Sequence, residues 1–501
     1  RGSDAAHSEY YIDGHDISSS MDCLPGMTLD PVLFGALEIS RGGGSGFLRG
    51  GMTGTLNFIP ESSGLPPRAS LIAGDDESIS LSAGFTKGIN RITLSIRKLK
   101  GTAGSTACNG AFLVNGNTQP FSYGILAAFS AGETESPEWA LPADGERKRY
   151  SFDGWGRWSP GRLRLSLGIR TGRHEYFSTQ PSLVDDRHDE FSGDLSLEYN
   201  VPLLKFQLGL SALSSLDRIL STSIGERERL TGEAALTVGY ADGISVSASS
   251  SLNMVSSERS MYGAALSIGL PVLDSLLLLH TSASTGFRRP SLNDLYWPED
   301  NFALGNPDLL PETSREIESG ISFSAFEYFS FSATAFIAET EDMIRWEPAE
   351  SGKWSPLNIS RALRKGIEMQ LWFSDTPIEL TGTLTLLEVT DNFIESVNYC
   401  RTLPYTPDYT FGVQAGLEYP RRIHWSVSAS GMGIRFKNYS ETSWMPAYTI
   451  FTAGVYLFPK IMGSFSLNAS MENIFDQDYQ ETSGYSGKPR TLHFGIEWNG
   501  N

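Results

Sequence analysis

The sequence predicts an all-β protein: a large, closed, up-and-down transmembrane β-barrel of about 22 antiparallel strands whose lumen holds a residual N-terminal plug. Three observations predict it. Apolar residues alternate with small or polar ones in segment after segment. The connections between those segments sort into tight turns and long polar loops. The number of segments exceeds what a barrel filled by its own side chains can hold.

The alternation is explicit in "ISLSAGF" from Ile79, "RITLSIR" from Arg91, "RLRLSLGIR" from Arg162, "ISVSAS" from Ile244 and "SFSLNAS" from Ser464. A strand with this pattern has one greasy face and one wet face. Tight connections are expected at "TKGIN" after Phe85, "SPG" at Ser159 to Gly161, "YNVP" at Tyr199 to Pro202, "YADG" at Tyr240 to Gly243 and "YPRR" at Tyr419 to Arg422. Long polar connections run from Glu133 to Lys148, Phe177 to Arg187, Phe287 to Thr313 and Asp391 to Pro404. Short and long alternate, as they do when a barrel has turns on one rim and loops on the other.

Size then fixes which way the greasy face points. The stretch from Arg68 to Trp498, at about 20 residues per strand and connection, gives roughly 20 to 22 strands, against about eight in a barrel packed with its own side chains. The apolar face must therefore meet lipid and the Ser, Thr, Arg and Glu face a wet lumen. Phe129, Trp155, Trp158, Tyr199, Tyr240, Trp372, Tyr419, Trp425 and Tyr456 lie near strand ends, where interfacial girdles of aromatics are expected. Closure follows because an open strand edge in hydrocarbon leaves backbone groups unbonded. A hole of this width also needs a stopper.

Composition excludes other classes. A net charge of -19 and pI near 4.9 argue against nucleic acid and anionic membrane surfaces as partners, and "RKLK" at Arg97 to Lys100 is a strand end. Cys23, Cys108 and Cys400 are too few and too far apart for a disulfide framework. The seven histidines show no zinc spacing. "RGGGSGFLRGG" from Arg41 matches neither phosphate-loop spacing, and Phe47 breaks a Gly-x-Ser-x-Gly elbow. Asp185, Asp186 and the "HDE" at His188 to Glu190 read as a solvated loop face. No catalytic residue, metal site or cofactor is expected, and the chain is not an enzyme on this reading.

Residues 1–62 lack the barrel pattern and carry "YYIDGHDIS" and "DPVLFGALEISRGGGSGFLRGGMTGTLNFIPES". Here the chain resembles the TonB-dependent outer-membrane receptors. Ile12-Asp13-Gly14 matches the family's "IDG" strand. Glu38, Ile39, Arg41 and Gly42 match its "E-(I/V)-x-R-G" step, Gly54, Leu56, Asn57 and Ile59 its last plug strand, and Arg1-Gly2 the tail of an earlier "R-G" step. In the barrel half, "GFRRPSLNDLYW…GNPDLLPE" is similar to the family's "FRAP…NP-x-L-x-PE" loop. "NISRALRKGIE" from Asn358, "LPYTPDY" from Leu403 and "ENIFDQDYQETSGYSGKPRTLHFGIEW" from Glu472 are similar to later family segments. Asn499-Gly500-Asn501 depart from the terminal aromatic common in such barrels.

The resemblance implies a division into residues 1–62, the C-terminal part of a plug, and residues 68–498, the barrel, with the family's energy-coupling segment and the first half of its plug expected to be absent from the sequence as it stands. It maps the family's plug arginines onto Arg1 and Arg41 and its barrel-wall glutamates onto Glu318 and Glu368. These four form an expected plug–barrel latch, which suits the bidentate match of guanidinium and carboxylate. Phe47 and Arg49 at the plug apex are candidate ligand contacts. So are Tyr296 and Trp297 in an external lid that Pro290, Pro298, Pro307 and Pro311 stiffen without secondary structure. The implied function is import across a Gram-negative-type outer membrane of a scarce metal chelate, cobalamin or a ferric siderophore, powered by the TonB-ExbB-ExbD complex. The expected form is a monomer in outer-membrane lipid. Haem is disfavoured because no histidine lies between Phe287 and Leu309. The other classes weighed are a passive porin or surface adhesin, which would need no plug, and a barrel enzyme, which would gather its polar residues at one rim.

Overall fold

The computed structural model describes residues 7–21, 29–41, 52, 54–62, 64–100, 106–133, 145–178, 186–256, 259–273, 276–299, 303–348, 353–394, 396–419, 422–459 and 463–500. Twenty-two antiparallel strands, from Arg68–Gly74 to Thr491–Asn499, form one closed barrel. The last strand pairs with the first, from His493 opposite Gly74 to Asn499 opposite Arg68, so no sheet edge meets lipid.

The alternation sets the faces. On the strand Leu163–Ser178, Leu165, Leu167 and Ile169 are exposed on the outer surface while Arg170 is buried inside. The next strand, Asp186–Leu203, repeats the arrangement with Leu195 and Leu197 outside and Ser196 within. So many exposed Leu, Ile, Phe and Val on a continuous belt are stable only where the surrounding medium is itself apolar.

Connections sort by rim. One rim has tight turns, including Gly88-Ile89 between the paired Lys87 and Asn90, and Gly243 between Asp242 and Ile244. The other carries, among the described residues, the long connections within 289–311, 392–408, 433–447 and 473–490. One expected turn is displaced: "YNVP" lies inside the strand Asp186–Leu203, and the chain reverses at Leu204-Lys205, with Leu204 at φ 56. Proline is tolerated there because the neighbouring strand pairs only as far as Leu163 opposite Tyr199, so Pro202 is asked for no ladder bond on that side. Among the aromatics, Trp155 departs from the girdle expectation: it is buried and faces the lumen, whereas Phe129, Trp158, Tyr199, Trp372, Tyr419, Trp425 and Tyr456 are exposed.

The leading segment folds inside the barrel as a small mixed sheet. Its strands β1 (Ser8–Ile12), β2 (His15–Asp16), β3 (Phe34–Arg41) and β4 (Gly54–Pro60) lie in the order β2-β1-β4-β3, with β1 parallel to β4. Ile12, Ile17 and Leu33 pack against Leu113, Leu126 and Trp155 of the barrel wall in a shared buried cluster. Burying each such side chain contributes about 1.5–3 kcal/mol, which seats the segment against one side of the lumen.

Candidate functional site

The sharpest chemistry in the lumen is where the leading segment meets the wall. The turn between β1 and β2 needs a left-handed backbone at two successive residues, Asp13 (φ 49) and Gly14 (φ 80). It is fixed by Asn57, whose Oδ1 accepts the Gly14 N–H at 3.0 Å. Asp13 in turn accepts from Trp155 Nε1 and from Arg157, each at 3.3 Å. Beside it, the fully buried Arg170 donates Nε to Asp153 at 2.9 Å and its terminal nitrogens to the carbonyls of Ser18 and Asp16. The same guanidinium therefore balances a wall carboxylate and satisfies two plug carbonyls, the planar fork geometry that Arg alone supplies.

Two further anchors extend the contact. Glu190 accepts from Ser19 Oγ at 2.9 Å and from the Ser20 N–H at 3.2 Å. Glu190 is thus a lumen residue and not part of a solvated loop face, because the strand parity that turns Arg187 and Phe191 outward turns it inward. Where the leading segment enters the barrel, Glu61 accepts from Arg91 Nε at 3.0 Å and Nη2 at 2.8 Å and also pairs with Arg68.

Nearer the loop rim, buried Glu312 joins three parts of the chain. It pairs with His7 Nε2 at 2.7 Å, with Arg288 at 2.8 Å, and accepts the Ile344 N–H at 2.6 Å. The loop that follows Arg288 is not free of secondary structure, as its prolines suggest. It contains the helix α1 (Leu292–Tyr296), opened by a capping box in which Ser291 and Asp294 exchange side-chain and backbone bonds. Two N–H groups that every helix start leaves unpaired, those of Leu292 and Asn293, donate to the carbonyls of Ser20 and Met21 at 3.0 Å. The leading segment thereby caps the loop helix. Met21 and Leu292 share a buried cluster with Ile219 and Ile224. Between leading segment and wall lies a cavity of about 140 Å³ lined in part by His7, Asp217, Arg229, Asn253 and Arg288.

The residues singled out from sequence fall as follows. Glu318 and Glu368 both point into the lumen two strands apart; Glu318 accepts from Ser282 Oγ at 3.0 Å and Glu368 is buried. Arg41 ends β3, paired in register with Gly54, and its side chain lies outside the described residues, as do Arg1, Phe47 and Arg49. Tyr296 is half-buried beneath Arg227, whose guanidinium stands 4.4 Å from the ring centre, and packs on the Met21 cluster. Trp297 is exposed and meets Trp346 edge-on at 6.0 Å. Trp346 also donates Nε1 to Asp294 at 3.0 Å.

Sequence reasoning missed His7, His15, Asp153, Arg170, Glu190 and the Arg288–Glu312 pair. A signal existed for the last: Arg288 and Glu312 bracket the long loop and face each other as the last paired residues of their strands. Among the described residues no group of His, Cys, Asp or Glu is placed to hold a metal ion, and Cys108 and Cys400 are free thiols.

A closed 22-stranded barrel with an outer apolar belt and a separate small sheet anchored in its lumen defines the class as a plugged outer-membrane barrel. Residues 234–474 match the family described as TonB dependent receptor-like, beta-barrel. A vitamin B12 transporter, BtuB, of Vibrio vulnificus is 32% identical over 215 residues, covering 41% of this chain and 32% of that protein. A BtuB of Photobacterium profundum is 26% identical, covering 44% and 35%. The matched stretch thus spans about a third of these curated relatives. The siderophore receptor PirA of Acinetobacter baumannii superposes with a TM-score of 0.80 at 13% identity, covering 99% of this chain and 91% of that one, a likeness of fold. The chain is thus similar to the TonB-dependent receptors in sequence over residues 234–474 and in fold over nearly its whole length, a barrel of the Gram-negative outer-membrane type.

Proposed function

We propose that this protein is an active-transport receptor that captures a scarce metal chelate, cobalamin or a ferric siderophore, outside the cell and admits it past a movable plug. On this reading residues 1–62 are the C-terminal part of the plug and residues 68–498 the barrel. The TonB-ExbB-ExbD complex supplies the pull, and one chain suffices for the passage. The observation that carries the reading is the way the leading segment is held: beside one apolar cluster, by buried ion pairs and hydrogen bonds to the barrel wall. Once the segment moves, its polar groups and those of the wall can take water as partners, which recovers part of the cost of breaking the buried pairs.

An open porin or an adhesin has no use for such anchors. Relatives named as vitamin B12 transporters support cobalamin, and the structural likeness to siderophore receptors keeps ferric chelates in play. The latch of Arg1 and Arg41 with Glu318 and Glu368 belongs to this proposal, as do ligand contacts at Phe47, Arg49, Tyr296 and Trp297.

The test is uptake of radiolabelled cobalamin, and in parallel of ferric siderophores, by cells whose own receptors are deleted and which carry the gene for this receptor. Saturable uptake that disappears when TonB is removed supports the proposal. Uptake that rises linearly with concentration and ignores TonB would mean a passive pore. Replacing Trp297 with Ala should weaken half-saturation by about tenfold if the ring covers ligand, in line with aromatic anchors elsewhere.

A further inference from the structure

Just past the β1–β2 turn, His15 is buried against the wall, 6% exposed. Its Nδ1 stands 3.2 Å from an Asp194 oxygen and its Nε2 3.6 Å from Asp153 Oδ1. Its ring lies parallel to Trp155, with centres 6.0 Å apart and planes 13° from parallel. The socket is shaped for it. Gly168 sits where a Cβ would collide with both the imidazole and the Asp194 carboxylate, so only the missing side chain lets the ring enter. We propose that His15 is a proton-operated catch for the leading segment: as an imidazolium it is gripped between Asp153 and Asp194, and as a neutral ring it releases the hairpin from the wall.

Charged groups from four elements surround the ring. The strand Gly145–Trp158 presents Asp153 and Arg157, Leu163–Ser178 presents Arg170, Asp186–Leu203 presents Glu190 and Asp194, and the hairpin itself brings Asp13 and Asp16. Among the described residues, these are two guanidinium groups and five carboxylates. Arg157 is engaged with Asp13, and Arg170 is shared between Asp153 and two plug carbonyls. A proton on His15 adds a cation directly between Asp153 and Asp194, where a charge on the ring is matched by two carboxylates. Burial pushes the imidazole down, but Asp153 and Asp194 outweigh it, and the opposing field of Arg170 is the smallest influence, so the group sits above the ordinary value of 6.5. The sign follows: the catch is fully engaged below the ordinary histidine value and is lost as pH rises through the elevated one.

Hydrogen exchange of the purified full chain in detergent micelles, read by mass spectrometry on peptides covering residues 8–21 and corrected for the intrinsic rate at each pH, tests this. Between about pH 5.5 and about pH 9, protection of these amides should fall by about tenfold or more, the scale of a broken buried pair, while barrel strands change little. His15→Asn should be flat and low across the range. Asp194→Asn should move the wild-type fall to lower pH. Wild-type protection that does not change with pH, or a His15→Asn variant that keeps the wild-type profile, would overturn the proposal. If His15→Asn fails to give a heat-modifiable, folded barrel, Asp194→Asn decides: a fall that does not move sinks the idea and one that moves down upholds it.

Discussion

Replacing Arg170 with Met is the strongest single test of how the leading segment is held. The methionine chain follows the arginine only as far as its Nε position and has no donors. The change leaves Asp153, which is completely buried, without its 2.9 Å partner, and removes the bonds to the carbonyls of Ser18 and Asp16. Breaking a buried ion pair by removing one partner costs about 3–5 kcal/mol, and lost bonds from a charged donor about 1.5–3 kcal/mol each, although losses at one group do not add fully. An opening free energy reduced by about 4 kcal/mol multiplies the open population roughly a thousandfold.

The assay is thiol trapping. Ile17, fully buried, is replaced by Cys in a background whose native cysteines are Ser, and the rate of reaction with a maleimide is measured in folded receptor with and without Arg170→Met. The barrel should stay folded, since its ladders do not use this side chain. The rate should rise by about 100-fold or more. A change under about threefold, with the barrel intact, would refute the view that these polar contacts hold the segment in place.

Other consequences are equally direct. Leu195→Arg places a charge on the outer belt near mid-strand and should cost about 2–4 kcal/mol, seen as reduced folding into lipid vesicles. Ser247→Arg, on the wall of a wide lumenal cavity, should fold as well as wild type. Gly168→Val fills the His15 socket and should expel the β1–β2 hairpin, raising the Ile17Cys-type trapping rate while heat-modifiable gel mobility of the barrel is kept. Glu312→Ala strips His7 and Arg288 of their shared carboxylate and should loosen α1, so that proteolysis within residues 289–311 speeds by about tenfold or more at unchanged barrel mobility.

Much of the architecture was legible because period-two alternation is a local property. Leu165, Leu167 and Ile169 declare an outer face within five residues, and Gly88-Ile89 or Gly243 declare a turn within two or three. Once enough such strands exist, closure and a wet interior follow from the need to pair every backbone group in hydrocarbon. The "YNVP" turn was misplaced because a proline at the end of a ladder costs nothing there, and neither Tyr199 nor Pro202 reports where the neighbouring strand stops. Trp155 was misread because an aromatic near a strand end looks the same whether it borders lipid or a buried histidine.

By itself, then, the chain's pattern of oily and wet residues determined that it spans a membrane as strands, which face meets lipid, and that the first sixty or so residues are something else. Only the tertiary structure decided what the wet face does. Asp153, Arg170, Glu190 and Asp194 are ordinary lumen residues until closure brings the hairpin bearing His15 and Ser19 against them, from more than a hundred positions away in the chain. Register and closure are long-range properties, and no local spacing encodes which polar side chain will meet water and which will meet its partner.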